Sequence, residues 1–159
     1  MPAARDPIAL LMKEHDEALR NLQQLKKSAA DLKKKGFSTK TFTALRRAVA
    51  YVDEEVRVHN RHEEEALFPV VERYVDGPTA VLREDHHRMA KIYRKLSHSI
   101  KVLEENTADK TALRELADSS EEIVQLMVNH IHKENHILFP MIQRFCTKEE
   151  VREIARKLL

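Results

Sequence analysis

Glycine, cysteine and long apolar runs are the telling shortages of this chain, and each closes off a class of protein. Two glycines among 159 residues, set against abundant Leu, Ala, Glu, Lys and Arg, favour helices joined by short turns. One cysteine, Cys146, excludes an internal disulfide and suits a reducing compartment; it also leaves no thiolate cluster for a closed zinc site. The apolar stretch Ile8 to Met12 is far too short for a secretory core or a membrane span. Charge of one sign is lacking too. The formal net charge is +2, and Lys33, Lys34 and Lys35 form no long basic tract. The expectation is a soluble cytoplasmic protein whose partners include neither nucleic acid nor membrane.

What is present is helical patterning. The length suits one domain over residues 1–159, with a bundle over 6–145 and a short terminal helix over 147–159. Asp6 before Pro7 predicts the first helix start, and Lys33 to Lys35 followed by Gly36 its end. Its apolar stripe is Ile8, Leu11, His15, Ala18, Leu22, Leu25. Ser38 caps a second helix with the stripe Val52, Val56, His59, Glu63, Ala66, Val70, and Pro69 should bend it. Pro78 opens a third, with Thr79, Leu82, His86, Met89, Tyr93, Leu96. Asp109 caps a fourth, with Ile123, Met127, His130, Glu134, Ile137, Met141. Thr147 and Glu150 form a capping box for a last amphipathic segment carrying Val151, Ile154 and Leu158. That segment packs on the bundle or, alternatively, makes a homodimer contact.

The four stripes superimpose in pairs at a constant offset of 71 residues. Ile8 falls on Thr79, His15 on His86, His59 on His130, Glu63 on Glu134, and Pro69 on Pro140. This is a helix hairpin written twice. Two such hairpins predict an all-α, antiparallel up-down-up-down four-helix bundle.

The middle of each stripe is broken by polar residues: His15, His59 with Glu63, His86, and His130 with Glu134. Residues four apart share a helix face, so His59–Glu63 and His130–Glu134 each present an imidazole beside a carboxylate. Burying two acids and four imidazoles unpartnered would cost several kcal/mol per charged group. Metal is the simplest compensation, and six mixed ligands in two symmetric sets suit two ions, with Glu63 and Glu134 placed to bridge them. About twelve coordination positions, if both ions are octahedral, leave around two for water or a small molecule. Imidazole and carboxylate with open positions favour iron, oxo- or hydroxo-bridged, or manganese.

Single histidines on the first and third helices, with H-x3-E and a following F-P on the second and fourth, resemble the hemerythrin family. The likeness is to its bacterial hemerythrin-like, HHE cation-binding branch, over roughly Asp6 to Phe145. It implies a non-haem di-iron centre that binds dioxygen or related small molecules, with His15, His59, Glu63, His86, His130 and Glu134 as metal ligands. Oxygen carriers of the family add a histidine four residues before the third-helix one, where Leu82 stands here. Their fourth-helix acid lies five residues after its histidine, at the place of Asn135, whereas Glu134 lies at four. These departures imply a more open ion, and bring sensing, peroxide or nitric-oxide chemistry and iron handling in beside oxygen binding.

Other polar residues are read as follows. His62 lies about 60° to one side of His59 and is a candidate additional ligand. His132 and His136 make their own pair on the opposite face and belong on the surface, as does His98; His87, about 100° from His86, is read as exposed or as a partner behind the ligands. Glu14 and Asp85 fit either hydrogen-bond acceptors behind the ligands or a solvated face. Glu64 and Glu65 are expected as surface charges, Tyr93 and Met89 as core, and Cys146 as a filler. The reading is a di-iron protein that binds oxygen or a related small molecule. An enzyme acting on peroxide, nitric oxide or ferrous iron is the first alternative. A helical interaction domain with structural metal is the second.

Overall fold

The computed structural model describes residues 6–158, and those residues form helices and turns with no strand. Helix α1 spans Pro7–Lys35; Asp6 accepts from the Ile8 amide at 3.0 Å, and Gly36 follows the last turn at φ +81°. Helix α2 covers residues 39–71, with Ser38 accepting from the Thr41 amide at 3.1 Å. Helix α3 is Gly77–Glu105, and α4 covers 110–145, capped by Asp109 on the Ala112 amide at 2.9 Å. Helix α5, Lys148–Leu158, opens on the predicted capping box: Thr147 and Glu150 exchange side-chain-to-amide bonds of 3.0 and 3.1 Å. The main packing contacts are α1 on α2, α3 on α4 and α1 on α4. No helix among the described residues is long and apolar enough to cross a membrane.

Two apolar blocks fill the bundle. One holds Leu22, Leu25, Leu32, Leu45, Leu96, Leu103 and Leu116. The other holds Ile8, Leu11, Leu67, Phe68, Leu138, Phe139 and, from α5, Ile154. Helix α5 therefore lies on the bundle, tied down by Arg73 to Glu153 at 3.0 Å and by Tyr74 to Glu150. The histidine and glutamate positions lie between the blocks in sequence, His15 between Leu11 and Ala18, and His86 between Leu82 and Met89.

Helices α2 and α4 each widen into a π turn at the glutamate of the motif, Glu63–Leu67 and Glu134–Leu138. The Phe68 and Phe139 amides reach back five residues to the Glu63 and Glu134 carbonyls. Pro69 and Pro140 follow immediately, lacking an N–H and crowding the carbonyl four residues back, which the wider turn relieves. The sequence predicts a bend at Pro69; the structure has a π turn there.

This turn corrects the stripe of the fourth helix. Ile137 is 52% exposed, whereas Leu138 and Ile142 are buried, because the extra residue shifts the helical phase. Met141 is half-buried. In α3 the inward residue is Ile92 and not Tyr93, which packs half-buried on the rim of the core. A third π turn, Val52–Val56, occurs in the first hairpin, while the equivalent 123–127 is α-helical.

Candidate metal centre

All six residues marked by the repeat are buried and converge at mid-bundle. His15, His59, Glu63 and Glu134 offer donor atoms within 4.8 Å of one another, as do Glu63, His86 and His130. The histidines fall into two hairpin pairs. His15 Nε2 lies 3.2 Å from His59 Nε2, and His86 Nε2 lies 3.2 Å from His130 Nε2. Each carboxylate touches one member of each pair. Glu134 Oε1 is 3.2 Å from His15 Nε2 and 2.9 Å from His130 Nε2. Glu63 Oε1 is 3.3 Å from His59 Nε2 and 3.5 Å from His86 Nε2.

The outer nitrogens decide the tautomers. His15 Nδ1 donates to Asn135 Oδ1 at 2.7 Å, and His86 Nδ1 to Glu64 Oε1 at 2.9 Å. His130 Nδ1 donates to Asp85 Oδ2 at 3.0 Å, and His59 Nδ1 to Glu14. With these protons on Nδ1, a neutral ring directs a bare Nε2 lone pair inward. Four such lone pairs face two carboxylates, and neither oxygen of Glu63 or Glu134 has a hydrogen-bond partner. Acceptors facing acceptors at about 3 Å repel unless something positive lies among them. Burial, and then the neighbouring Glu134, push the Glu63 carboxyl well above the ordinary carboxylate range. Cations there would remove that strain, so the residues fit a metal site.

The outer partners refine the sequence reading. Glu14 and Asp85 are acceptors behind the histidines, not members of a solvated face. Burial raises the Asp85 carboxyl, but the bonds from Lys133 and His130 outweigh it and leave it below its usual range. Glu64, expected as a surface charge, is instead half-buried against His86. Nothing in local sequence marked it, since its target lies on another helix. The F-P phenylalanines stack across the halves, Phe139 on His15 at 5.3 Å and Phe68 on His86 at 5.7 Å. His62 is half-buried and belongs to neither donor cluster. His87, His98, His132 and His136 are exposed, the last two with ring centroids 4.4 Å apart.

A cavity of about 140 Å³ reaches His15, His59, His130 and Glu134 from the side of the first hairpin. Ala18, Tyr51 and Val56 line it. The equivalents of Ala18 and Val56 in the second hairpin are the larger Met89 and Met127, both buried, and both form the far wall of this cavity.

Three curated relatives carry the same printed description, iron-sulfur cluster repair protein YtfE. The protein of Cronobacter sakazakii is 26% identical over 100 residues, 60% of this chain and 45% of its own length. That of Salmonella typhimurium is 27% identical over 106 residues, 64% of this chain and 45% of the relative. That of Escherichia coli is 23% identical over 100 residues, covering 60% and 46%. The chain thus spans less than half the length of these relatives. Residues 6–142, which include every residue of the centre, match the hemerythrin HHE cation binding domain, and the chain belongs to that family.

Proposed function

We propose that the protein holds two iron ions in a non-haem centre and binds dioxygen or a related small molecule there. His15 and His59 would hold one ion, His86 and His130 the other, with Glu63 and Glu134 shared between them. The observation that carries this reading is the pair of buried carboxylates, each without a hydrogen-bond partner and each beside one histidine of both pairs. Manganese satisfies the same donor set.

When bound, the ions would supply electrons and Lewis acidity. The protein's own contribution is positional. Glu14, Asn135, Glu64 and Asp85 hold the imidazole protons on Nδ1 and so keep every Nε2 free to bind metal. Phe68 and Phe139 stack on His86 and His15, fixing the ring planes and keeping water from one side. The cavity beside His15 and His59 is sized for a molecule of a few atoms. A cytoplasmic setting accords with the single cysteine.

Turnover of peroxide, nitric oxide or ferrous iron on the same residues is the second reading. The relatives described as iron-sulfur cluster repair proteins favour a link to iron handling. Elemental analysis of protein from iron-supplied cells tests the main claim, with two irons per chain expected and none overturning it. An optical spectrum of the oxidised protein should show charge-transfer bands of an oxo-bridged ferric pair. Mixing the reduced protein with oxygen, peroxide or nitric oxide then separates a stable adduct from turnover.

A further inference from the structure

The two hairpins place equivalent residues behind equivalent histidines, with one exception. Glu14 and Asp85 are equivalent positions, and they back His59 and His130. Glu64 and Asn135 are also equivalent, and they back His86 and His15 across the bundle. Three imidazoles therefore donate to carboxylates and one, His15, donates to a neutral amide. We propose that Asn135 makes the two ions unequal, so that the ion between His15 and His59 accepts the first electron. This rests on the di-iron reading above and goes beyond it by assigning an order of reduction and the residue that sets it.

The physical argument is short. A carboxylate accepting from Nδ1 draws the ring toward imidazolate, makes Nε2 a stronger donor and favours the higher charge on the metal. An amide acceptor fixes the same tautomer with a far weaker pull. The His86–His130 side has two carboxylate acceptors, and the His15–His59 side has one. Lys133 also donates to Asp85 Oδ2, at 2.9 Å, and offsets part of that acid's effect on His130. Its side chain is 37% exposed and reaches His130 only through Asp85, so solvent screens it. It leaves Glu64 on His86 untouched. The remaining direct contacts of the His15 ring are shared or neutral: Phe139 on its face, and Glu134, which also touches His130. Glu17 and Glu55 line the neighbouring cavity, which opens to solvent, and act on His15 and His59 only through that screened space. The step is a one-electron transfer from an external reductant to one ferric ion, which becomes ferrous while no bond to carbon, nitrogen or oxygen is made or broken.

Asn135 is thus a positioning residue, and the test reads potentials as well as metal content. The iron-loaded full chain is titrated with dithionite against redox dyes, as wild type and as Asn135→Asp, Glu64→Gln and Asn129→Asp. Asn129 is exposed on the same helix, so its substitution adds a charge without touching a ligand. Asn135→Asp is expected to lower the first potential about tenfold in ferric preference, or about 59 mV for one electron. Glu64→Gln should leave the first potential in place and raise the second, so that both variants narrow the gap. Asn129→Asp should move neither by a comparable amount. If Asn135→Asp lowers the second potential and widens the gap, the order is reversed and the proposal fails. Potentials that ignore both inner substitutions while two irons remain bound overturn the tuning role alone. Chains that take up no pair of ions overturn the di-iron reading, and the tuning role with it.

Discussion

His15 and His59 point bare ring nitrogens at each other across 3.2 Å, and neither has a proton to give, since each spends it outward on Asn135 or Glu14. The same arrangement recurs at His86 and His130. A polar layer meant only to set helix register would place donors against acceptors. This layer places acceptors against acceptors, and predictions about metal and stability follow with opposite signs.

Replacing both Glu63 and Glu134 by leucine should abolish metal uptake. In metal-free protein the same double change should raise stability by about 1–4 kcal/mol, as when buried ionic groups give way to well-packed apolar ones. Urea melts of both proteins with and without a chelator measure this. A metal-free double variant markedly weaker than metal-free wild type would speak for a structural polar layer. Native protein should in turn lose stability on chelation, since metal that binds only the folded state adds about 2.7 kcal/mol at a hundredfold excess over Kd.

Asp85→Asn keeps the shape behind His130 but removes the charge. Metal affinity should fall about 10–100-fold, read by competition with a coloured chelator. His132→Ala, at an exposed position, should leave the affinity at this centre where it was.

The π turn at Glu134–Leu138 makes a sharp distinction between neighbours. Leu138→Ala should cost about 2–5 kcal/mol, because Leu138 is fully buried. Ile137→Ala should cost about 0.5 kcal/mol or less, because Ile137 is half exposed. An uninterrupted α-helix would reverse that order, so a pair of denaturant melts decides it.

Ala18→Met copies the second hairpin's Met89 into the first. It should fill the cavity beside His15 and His59 and slow binding of azide to the oxidised centre at least several-fold, with iron content unchanged. Stopped-flow absorbance gives the rate, and an unaltered rate means that small molecules reach the centre from elsewhere.

Acid should loosen α5 before the bundle. The Thr147 amide, then the Tyr74 hydroxyl, hold the Glu150 carboxyl below its ordinary value of 4.5, and Arg73 followed by Lys157 does the same for Glu153. Both folded values are depressed, so the docking contribution is present above the ordinary value and drains away as pH falls through the lowered ones. Amide-exchange protection in Lys148–Leu158, taken relative to the intrinsic rate at each pH, should fall below about pH 4.5 while protection in α1 is kept. High salt should act in the same direction, because these pairs face solvent.

The sequence by itself determined the helices, their caps, the repeat and the six converging residues. Those follow from local chemistry: Asp6, Ser38 and Asp109 accept from the amides of Ile8, Thr41 and Ala112 just after them, and the 71-residue repeat forces equivalent side chains onto equivalent faces. Tertiary structure decided the rest. Glu64 looks like a surface charge, and nothing in the sequence pairs Asn135 with His15, until helix packing brings His86 and His15 against them, more than twenty and one hundred residues away in the chain. The inward turn of Leu138 in place of Ile137 depends on a π turn that a uniform 3.6-residue period does not contain. The proton positions on the four histidines exist only through partners contributed by other helices, and they make the middle of the bundle a site for cations.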